Sequence, residues 1–533
     1  MNTNLIFNKA RYIAGDNVIV YTNKDEYKVI LQREGEILDN SLYSLEQTKN
    51  ENIYCFSDLK VGSYILCIGS HQGAFSIDEK DDRTVLYGFL SDFEDPSNGK
   101  EIESLCRLHI NTVQFYDWMF RHDDLISKEK EYLDPLDRKI NLDVIRDKVR
   151  RCCQSGMRPF AYGAIYAATE KVFSKHPEWA LYTIDGEPLK FADWLYYMDI
   201  SREKGWSAFI TEEFVKAIRE VGFQGIHMDT YGFPKTGCSF EGKNVFLGEE
   251  IPYLMEKVDK AIKKESEDNG IIFNAVNDWP TETVSKCSDA AYIEVWPPHN
   301  SYFDLFLLIK KAKLLGHENV VLACYMEPFR NEDQNKAENA WRLTFATINV
   351  SGGTQLVMGE DRALLSNSYY ADYSKLRNTF VSTSVRYFDF AVAYKKLLYK
   401  NTGLDVSFTS CGGINEDIIF SSQTVKFSSN GDGDKVWTII SETNNRINCQ
   451  LINFTSNNNL WNKEKENPPL VKDIVLSLRL NRKIKNIWTA SPDFEDIRPF
   501  KLNFDYAIIE QGRLYSVKVP KLQFWTMVVI DME

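Results

Sequence analysis

A chain of 533 residues is too long for one hydrophobic core, and with 44% apolar and 26% charged residues it has the make-up of a folded, water-soluble protein of two or three domains. The net charge of -13 argues against nucleic acid as a partner, because binding a phosphate backbone draws its affinity from basic patches that release counterions, and the ordinary composition equally disfavours a membrane partner. An uncharged polar substrate fits this balance, and the 13% of aromatic residues supply flat rings that suit sugar faces as well as cores.

Residues 1–84 carry the short alternating runs NVIVYT, YKVILQ and SYILCIG between turn-forming Asn, Asp, Gly and Ser, a pattern that predicts a small immunoglobulin-like β-sandwich. The opening MNTNLIFNKARY lacks a basic start followed by an apolar stretch of roughly 7 to 15 residues, as an export signal requires, so the expected location is cytoplasmic unless a leader has been removed. Ten scattered cysteines (55, 67, 106, 152, 153, 238, 287, 324, 411 and 449) form no CxxC pair or zinc-spaced cluster and read as reduced core residues.

From 85 to 395 strands alternate with amphipathic helices. In 206–221, Ile210, Phe214, Ala217, Ile218 and Val221 share one helical face that Gly222 would end. A second helix should begin at Ser301 with Asp304 as its capping carboxylate and run to Gly316. Strand candidates lie at 111–118, 158–166, 196–200, 224–229, 270–278, 290–296, 320–327 and 353–360. Eight such units predict an α/β fold, a (β/α)8 TIM barrel, and nearly every candidate ends in Asp, Glu, Asn or an aromatic, at the end where barrels place their chemistry. From 396 to 533 runs such as KVWTIISE, IVLSLRL and LQFWTMVVI return to strand alternation, which predicts a C-terminal antiparallel β-sandwich. Within it, 455–468 (TSNNNLWNKEKENP) reads as a solvated loop.

Cleaving a glycosidic bond usually needs two rigid carboxylates on opposite sides of it, one to attack or to activate water and one to protonate the leaving oxygen. Asp229 ends the fourth candidate strand and Glu294 lies near the end of the sixth, so a closed barrel aims both at one mouth. Tyr292, Trp296, Pro297 and Pro298 around Glu294 form an apolar rim that would raise its pKa, whereas His227 and Tyr231 beside Asp229 are polar neighbours that favour an ionised group. With seven histidines but no HxxxH or HxH pair near the strand ends, the sequence offers no metal ligand set and implies no cofactor.

The strings QFYDWMFRH (114–122), GFQGIHMDTYG (222–232) and AAYIEVWPP (290–298), with NKARYIAGDNV near the start and YGFLSDF at 87–93, resemble glycoside hydrolase family 66, the dextranases and cycloisomaltooligosaccharide glucanotransferases. The likeness covers residues 1–360; where the family has proline before the glycine of its first motif, this chain has Ala14. It implies Asp229 as nucleophile and Glu294 as general acid/base of a retaining endo-hydrolase of α-1,6-glucosidic linkages. Tyr116, Asp117, Trp118, Arg121 and His122, on or beyond the 111–118 candidate, suit a glucose ring, as do Asn277, Asp278 and Trp279 beyond the fifth strand. Tyr162, Asp199, His227, Tyr231, Trp296, Glu327 and Glu360 are further binding candidates at the same mouth.

The cyclising transferases of the family carry a carbohydrate-binding module inserted near the seventh unit. Only 25 residues separate Glu327 from Gly353 here, so the resemblance points to a dextranase type. The competing readings are a cycloisomaltooligosaccharide glucanotransferase, an exo-acting α-glucosidase or α-galactosidase on the same barrel, and a non-catalytic carbohydrate-binding protein.

Overall fold

Eight parallel strands form the centre of the molecule: Tyr87–Leu90, Thr112–Phe115, Arg158–Ala164, Gly225–Asp229, Gly270–Val276, Ser288–Glu294, Val320–Ala323 and Thr354–Gln355, paired in that order. The sheet closes on itself where the Phe89 N–H donates to the Met358 carbonyl at 3.2 Å and Phe89 bridges Gly359 in parallel. A Cβ on Gly359 would sit 2.5 Å from the Phe89 ring, so glycine is what lets the last strand reach the first. This computed structural model describes residues 5–533 apart from 24–27, 39–42, 49–50, 97, 203–204, 285, 401–402 and 411–416, so Cys411 lies outside the described residues.

The barrel expectation holds, with two corrections. The first barrel strand is Tyr87–Leu90, a run too short to stand out from the linker before it. The 196–200 candidate is not in the barrel; Leu195–Tyr197 pairs antiparallel with Ala167–Ala168 and Lys190–Phe191 in a small sheet beyond the third strand. The two errors cancel, leaving Asp229 on the fourth strand and Glu294 on the sixth.

Helices Lys100–Arg107, Leu142–Gln154, Gly205–Lys216, Leu247–Ile262, Tyr302–Leu314, Gln334–Val350 and Asn378–Ala393 cover the sheet. Among the described residues 277–287 no helix follows the fifth strand, because a helical crossover needs about a dozen residues or more. The 205–216 helix runs on as a π-helical turn, Ala217–Val221, and stops at Gly222, whose φ is 94°. Ser301 and Asp304 form a reciprocal capping box at the start of Tyr302–Leu314. Helix Gln334–Val350 fills most of the stretch between Glu327 and Gly353.

The barrel is flanked by two β-sandwiches. Four- and five-stranded sheets at the N-terminal side enclose Phe7, Tyr12, Val20, Tyr54, Leu66 and Phe75. Seven- and four-stranded sheets at the C-terminal side enclose Ile440, Leu451, Leu476, Val517 and Val528. One buried carboxylate fastens the first sandwich to the barrel: Asp389 accepts from the Ala74 N–H at 3.1 Å and lies 2.7 Å from His109 Nε2. The 455–468 segment is solvated only in part, since Ser456, Asn458, Lys463, Glu466 and Asn467 are exposed while Asn457, Trp461 and Lys465 are buried. Among the described cysteines, Cys153 is exposed, not packed in a core.

Glu360, expected at the substrate mouth, instead locks the barrel seam. Its Oε1 accepts from Ser91 N at 2.8 Å, Ser91 Oγ at 3.0 Å and Asp92 N at 3.0 Å, with the Lys148 ammonium 3.7 Å from Oε2. Truncation would leave buried donors and a buried cation short of their acceptor. Glu360→Ala should therefore lower the unfolding free energy by about 3 kcal/mol or more in chemical denaturation, with a smaller loss for Glu360→Gln, which keeps an acceptor oxygen.

Candidate active site

Strand residues alternate between the barrel interior and its helical jacket, so His227 and Asp229 face inward together. His227 lies in the core, its Nδ1 2.9 Å from Tyr87 Oη and its ring against Tyr292. Asp229 stands one pleat higher, at the mouth. On the neighbouring strands Asn274 and Glu294 occupy the corresponding inward positions, in the register Asn274↔Tyr292 and Val276↔Glu294.

Five side chains make the centre of the site. Tyr162 Oη donates to Asp229 Oδ2 at 2.8 Å, and Tyr325 Oη donates to Glu294 Oε1 at 2.6 Å. Asn274 Nδ2 donates to both carboxylates, to Asp229 Oδ1 at 2.7 Å and to Glu294 Oε2 at 3.2 Å. Because ionised carboxylates only accept, this amide can have only one orientation here. A shared nitrogen at those two distances holds the carboxylate oxygens under about 6 Å apart, compatible with the roughly 5 to 5.5 Å of a retaining pair and short of the roughly 6.5 to 9.5 Å of an inverting one.

Burial pushes the Asp229 carboxyl up to about 7; the adjacent Glu294 charge adds to this, while the Asn274 and Tyr162 donors oppose it. Burial also raises Glu294, against hydrogen bonds from Tyr325, Asn274 and Trp296. Two carboxylates this close cannot both ionise freely, so the pair retains a proton near neutrality. Asp229 has two donors within 2.8 Å whereas Glu294 has one close and one long, and the Glu294 charge is among the causes that raise Asp229, so the one proton belongs to the pair. The expectation that His227 and Tyr231 keep Asp229 ionised gives way to Tyr162 and Asn274, and Tyr292 in the Glu294 rim turns into the core to meet Tyr370 Oη at 2.8 Å. Such a site can attack one face of a bond while protonating the other.

Residues 68–529 match glycosyl hydrolase family 66. The chain belongs to that family. Two cycloisomaltooligosaccharide glucanotransferases of Niallia circulans are each 23% identical to it over 86% of its length, and the chain spans only 63% and 62% of theirs. The first match extends over 621 aligned positions yet uses 86% of this chain's 533 residues, so well over a hundred positions of that relative have no counterpart here. A solved Paenibacillus sp. cycloisomaltooligosaccharide glucanotransferase complexed with cycloisomaltoheptaose superposes with a TM-score of 0.86 at 19% identity over 99% of both chains. An Anoxybacillus alpha-amylase shares the general fold at a TM-score of 0.53 and 10% identity, over 85% of this chain and 98% of its own.

In this family 66 chain several expected residues gather around the pair. Tyr116 stacks on Tyr370 at 4.3 Å and lies 5.4 Å from Tyr162. Asp117, at φ 47°, is raised to about 7 by burial, with the Arg138 charge opposing, and its own charge adds to that around Asp229. Tyr231 stacks on Phe191 at 4.3 Å, and Trp296, 37% exposed, leans on Tyr325.

The others, apart from the exposed Glu327, make their contacts with the surrounding protein. Trp118 is fully buried and donates from Nε1 to the Tyr162 carbonyl at 3.1 Å, so it positions the strand that carries Tyr162. Arg121 lies over the Phe120 ring and donates to the Leu133 carbonyl at 3.0 Å. His122 is buried beside Trp194, with burial pulling its pKa down to about 4; burial takes His227 down to about 3. Asp199 caps a turn by accepting from Ser201 N at 3.0 Å. Asn277 donates from its backbone to the Glu294 carbonyl at 2.7 Å and from Nδ2 to the Pro297 carbonyl at 3.0 Å. Asp278 is ion-paired with Lys311 at 2.6 Å, and the Trp279 ring lies under the Lys235 ammonium. Glu327 is exposed at the start of a short 3-10 turn.

Asn274, Tyr325 and Tyr370 escaped the sequence reading. Asn274 left a signal, a polar residue inside the apolar run GIIFNAV, where burial is unfavourable without a partner. The tyrosines left none.

Two outcomes follow from the raised Asp229. Its folded pKa exceeds the ordinary carboxylate value, so its contribution to stability falls as pH rises from about 4 to about 7 and is fully unfavourable above. Asp229→Asn should abolish turnover yet melt above the wild type at pH 8, with the gap closing toward pH 4. Tyr162→Phe, which removes a donor to the ionised carboxylate, should shift the acid limb of kcat/KM to higher pH.

Proposed function

We propose that this family 66 enzyme cleaves α-1,6-glucosidic linkages of dextran or isomaltooligosaccharides by double displacement with retention. The observation that carries the reading is the single Asn274 amide that holds Asp229 and Glu294 under about 6 Å apart. The linkage follows from the relatives, whose names specify cycloisomaltooligosaccharides.

In the first step an Asp229 oxygen attacks the anomeric carbon as the bond to the leaving oxygen breaks, and Glu294 gives that oxygen its proton. The glucosyl ester on Asp229 has inverted configuration. Glu294, now ionised, takes a proton from water, the water oxygen attacks the same carbon, and the ester bond breaks to free Asp229. The second inversion restores the α-anomer.

We assign water as the principal acceptor and internal linkages as the target, a dextranase-type activity. The support is that more than a hundred positions of the glucanotransferase of the first match have no counterpart in this chain. The second reading, transfer to the saccharide's own terminal hydroxyl, draws on the names of the same relatives and on the solved one matched over its whole length.

Product profiling on dextran separates these readings. Linear isomaltooligosaccharides of mixed length, released first as α-anomers by proton NMR, are expected. Cyclic products would assign the transferase, glucose alone would exclude internal cleavage, and β-anomers would overturn the retaining mechanism.

A further inference from the structure

Only 295–301 separate Glu294 from helix Tyr302–Leu314. On one side this exit is pinned by Asn277, through the Glu294 and Pro297 carbonyls and the Trp296 N–H. On the other side it is pinned by the C-terminal sandwich, through the 455–468 loop. Trp461 Nε1 donates to the His299 carbonyl at 2.8 Å, and Trp461 N donates to the Asn300 carbonyl at 3.0 Å. Ser301 bridges Leu460 antiparallel, and Tyr302 N donates to the Asn459 carbonyl at 2.9 Å.

The loop is itself held rigid from within. Asn457 spans it, accepting from Glu466 N at 2.7 Å and donating to the Glu466 carbonyl at 3.2 Å. The fully buried Lys465 ammonium donates to Asn458 Oδ1 at 2.8 Å and to the Leu460 carbonyl at 2.5 Å, above the Tyr302 ring. Asn339 Nδ2 donates to the Lys465 carbonyl at 3.2 Å, which anchors the loop to the next barrel helix.

We propose that the 455–468 loop positions Glu294 for proton transfer, and that Trp461 is the positioning residue through which it acts. This rests on the reading of Glu294 as the proton donor. A loop that serves only to join two domains has no reason to grip a short exit segment at three consecutive residues, His299, Asn300 and Ser301, and then at Tyr302.

The test uses a feature of acid catalysis: a leaving group that departs as a stable phenolate needs no proton. Trp461→Phe keeps the ring and removes the indole N–H. It should lower kcat/KM on an isomaltooligosaccharide about ten-fold, part of the roughly 10²- to 10⁴-fold that positioned proton transfer supplies, and leave the nitrophenyl glycoside of the same saccharide within about two-fold. Lys465→Met, which removes the ammonium but keeps the stem, should show the same selectivity in milder form and serves if the first variant fails to fold. Unchanged kcat/KM on both substrates, or equal losses on both, would overturn the proposal. Glu294→Gln is the control: if it loses both substrates equally, the acid assignment itself fails, whatever the loop does.

Discussion

One amide group sets the geometry on which this active site depends. Two carboxylates buried together repel, and each resists ionisation; Asn274 answers both by offering one hydrogen to each. Its position is fixed by the register between the fifth and sixth strands. On the far side of the barrel, Gly359 and Glu360 hold the seam that closes the same sheet.

The acid pair was legible in the sequence because each carboxylate ends an apolar run, and strand ends are where a barrel exposes polar groups. The supporting residues were less so. Tyr325 and Tyr370 are indistinguishable from packing aromatics until their hydroxyls are seen to point at Glu294 and Tyr292. Asn277, Asp278 and Trp279 look like mouth residues by position, but a short connection leaves them no freedom, and their polar groups go to neighbouring backbone and to Lys311. Leu195–Tyr197 is apolar because it is buried beneath an excursion, which gives it a strand's composition without a place in the barrel.

The 455–468 segment misleads for a different reason. Composition reports what a segment does when it faces water, yet here Asn457, Asn458 and Lys465 turn their polar atoms on the loop's own backbone and on each other. A stretch rich in Asn and Lys can thus be an internal part when its polar groups are satisfied by one another. Trp461, the one large ring in that polar run, was the visible exception, and its indole N–H reaches the barrel.

The missing fifth helix has a mechanical consequence. The strands bearing Asn274 and Glu294 are joined by the short segment 277–287 and cross-tied by Asn277, so amide and carboxylate sit on one short-tethered unit of backbone. Asp229 is separated from that unit by 230–269, which includes a full helix. Strand pairing and the shared amide tie Asp229 to it all the same, so a change in the length of 277–287 would reach both carboxylates at once.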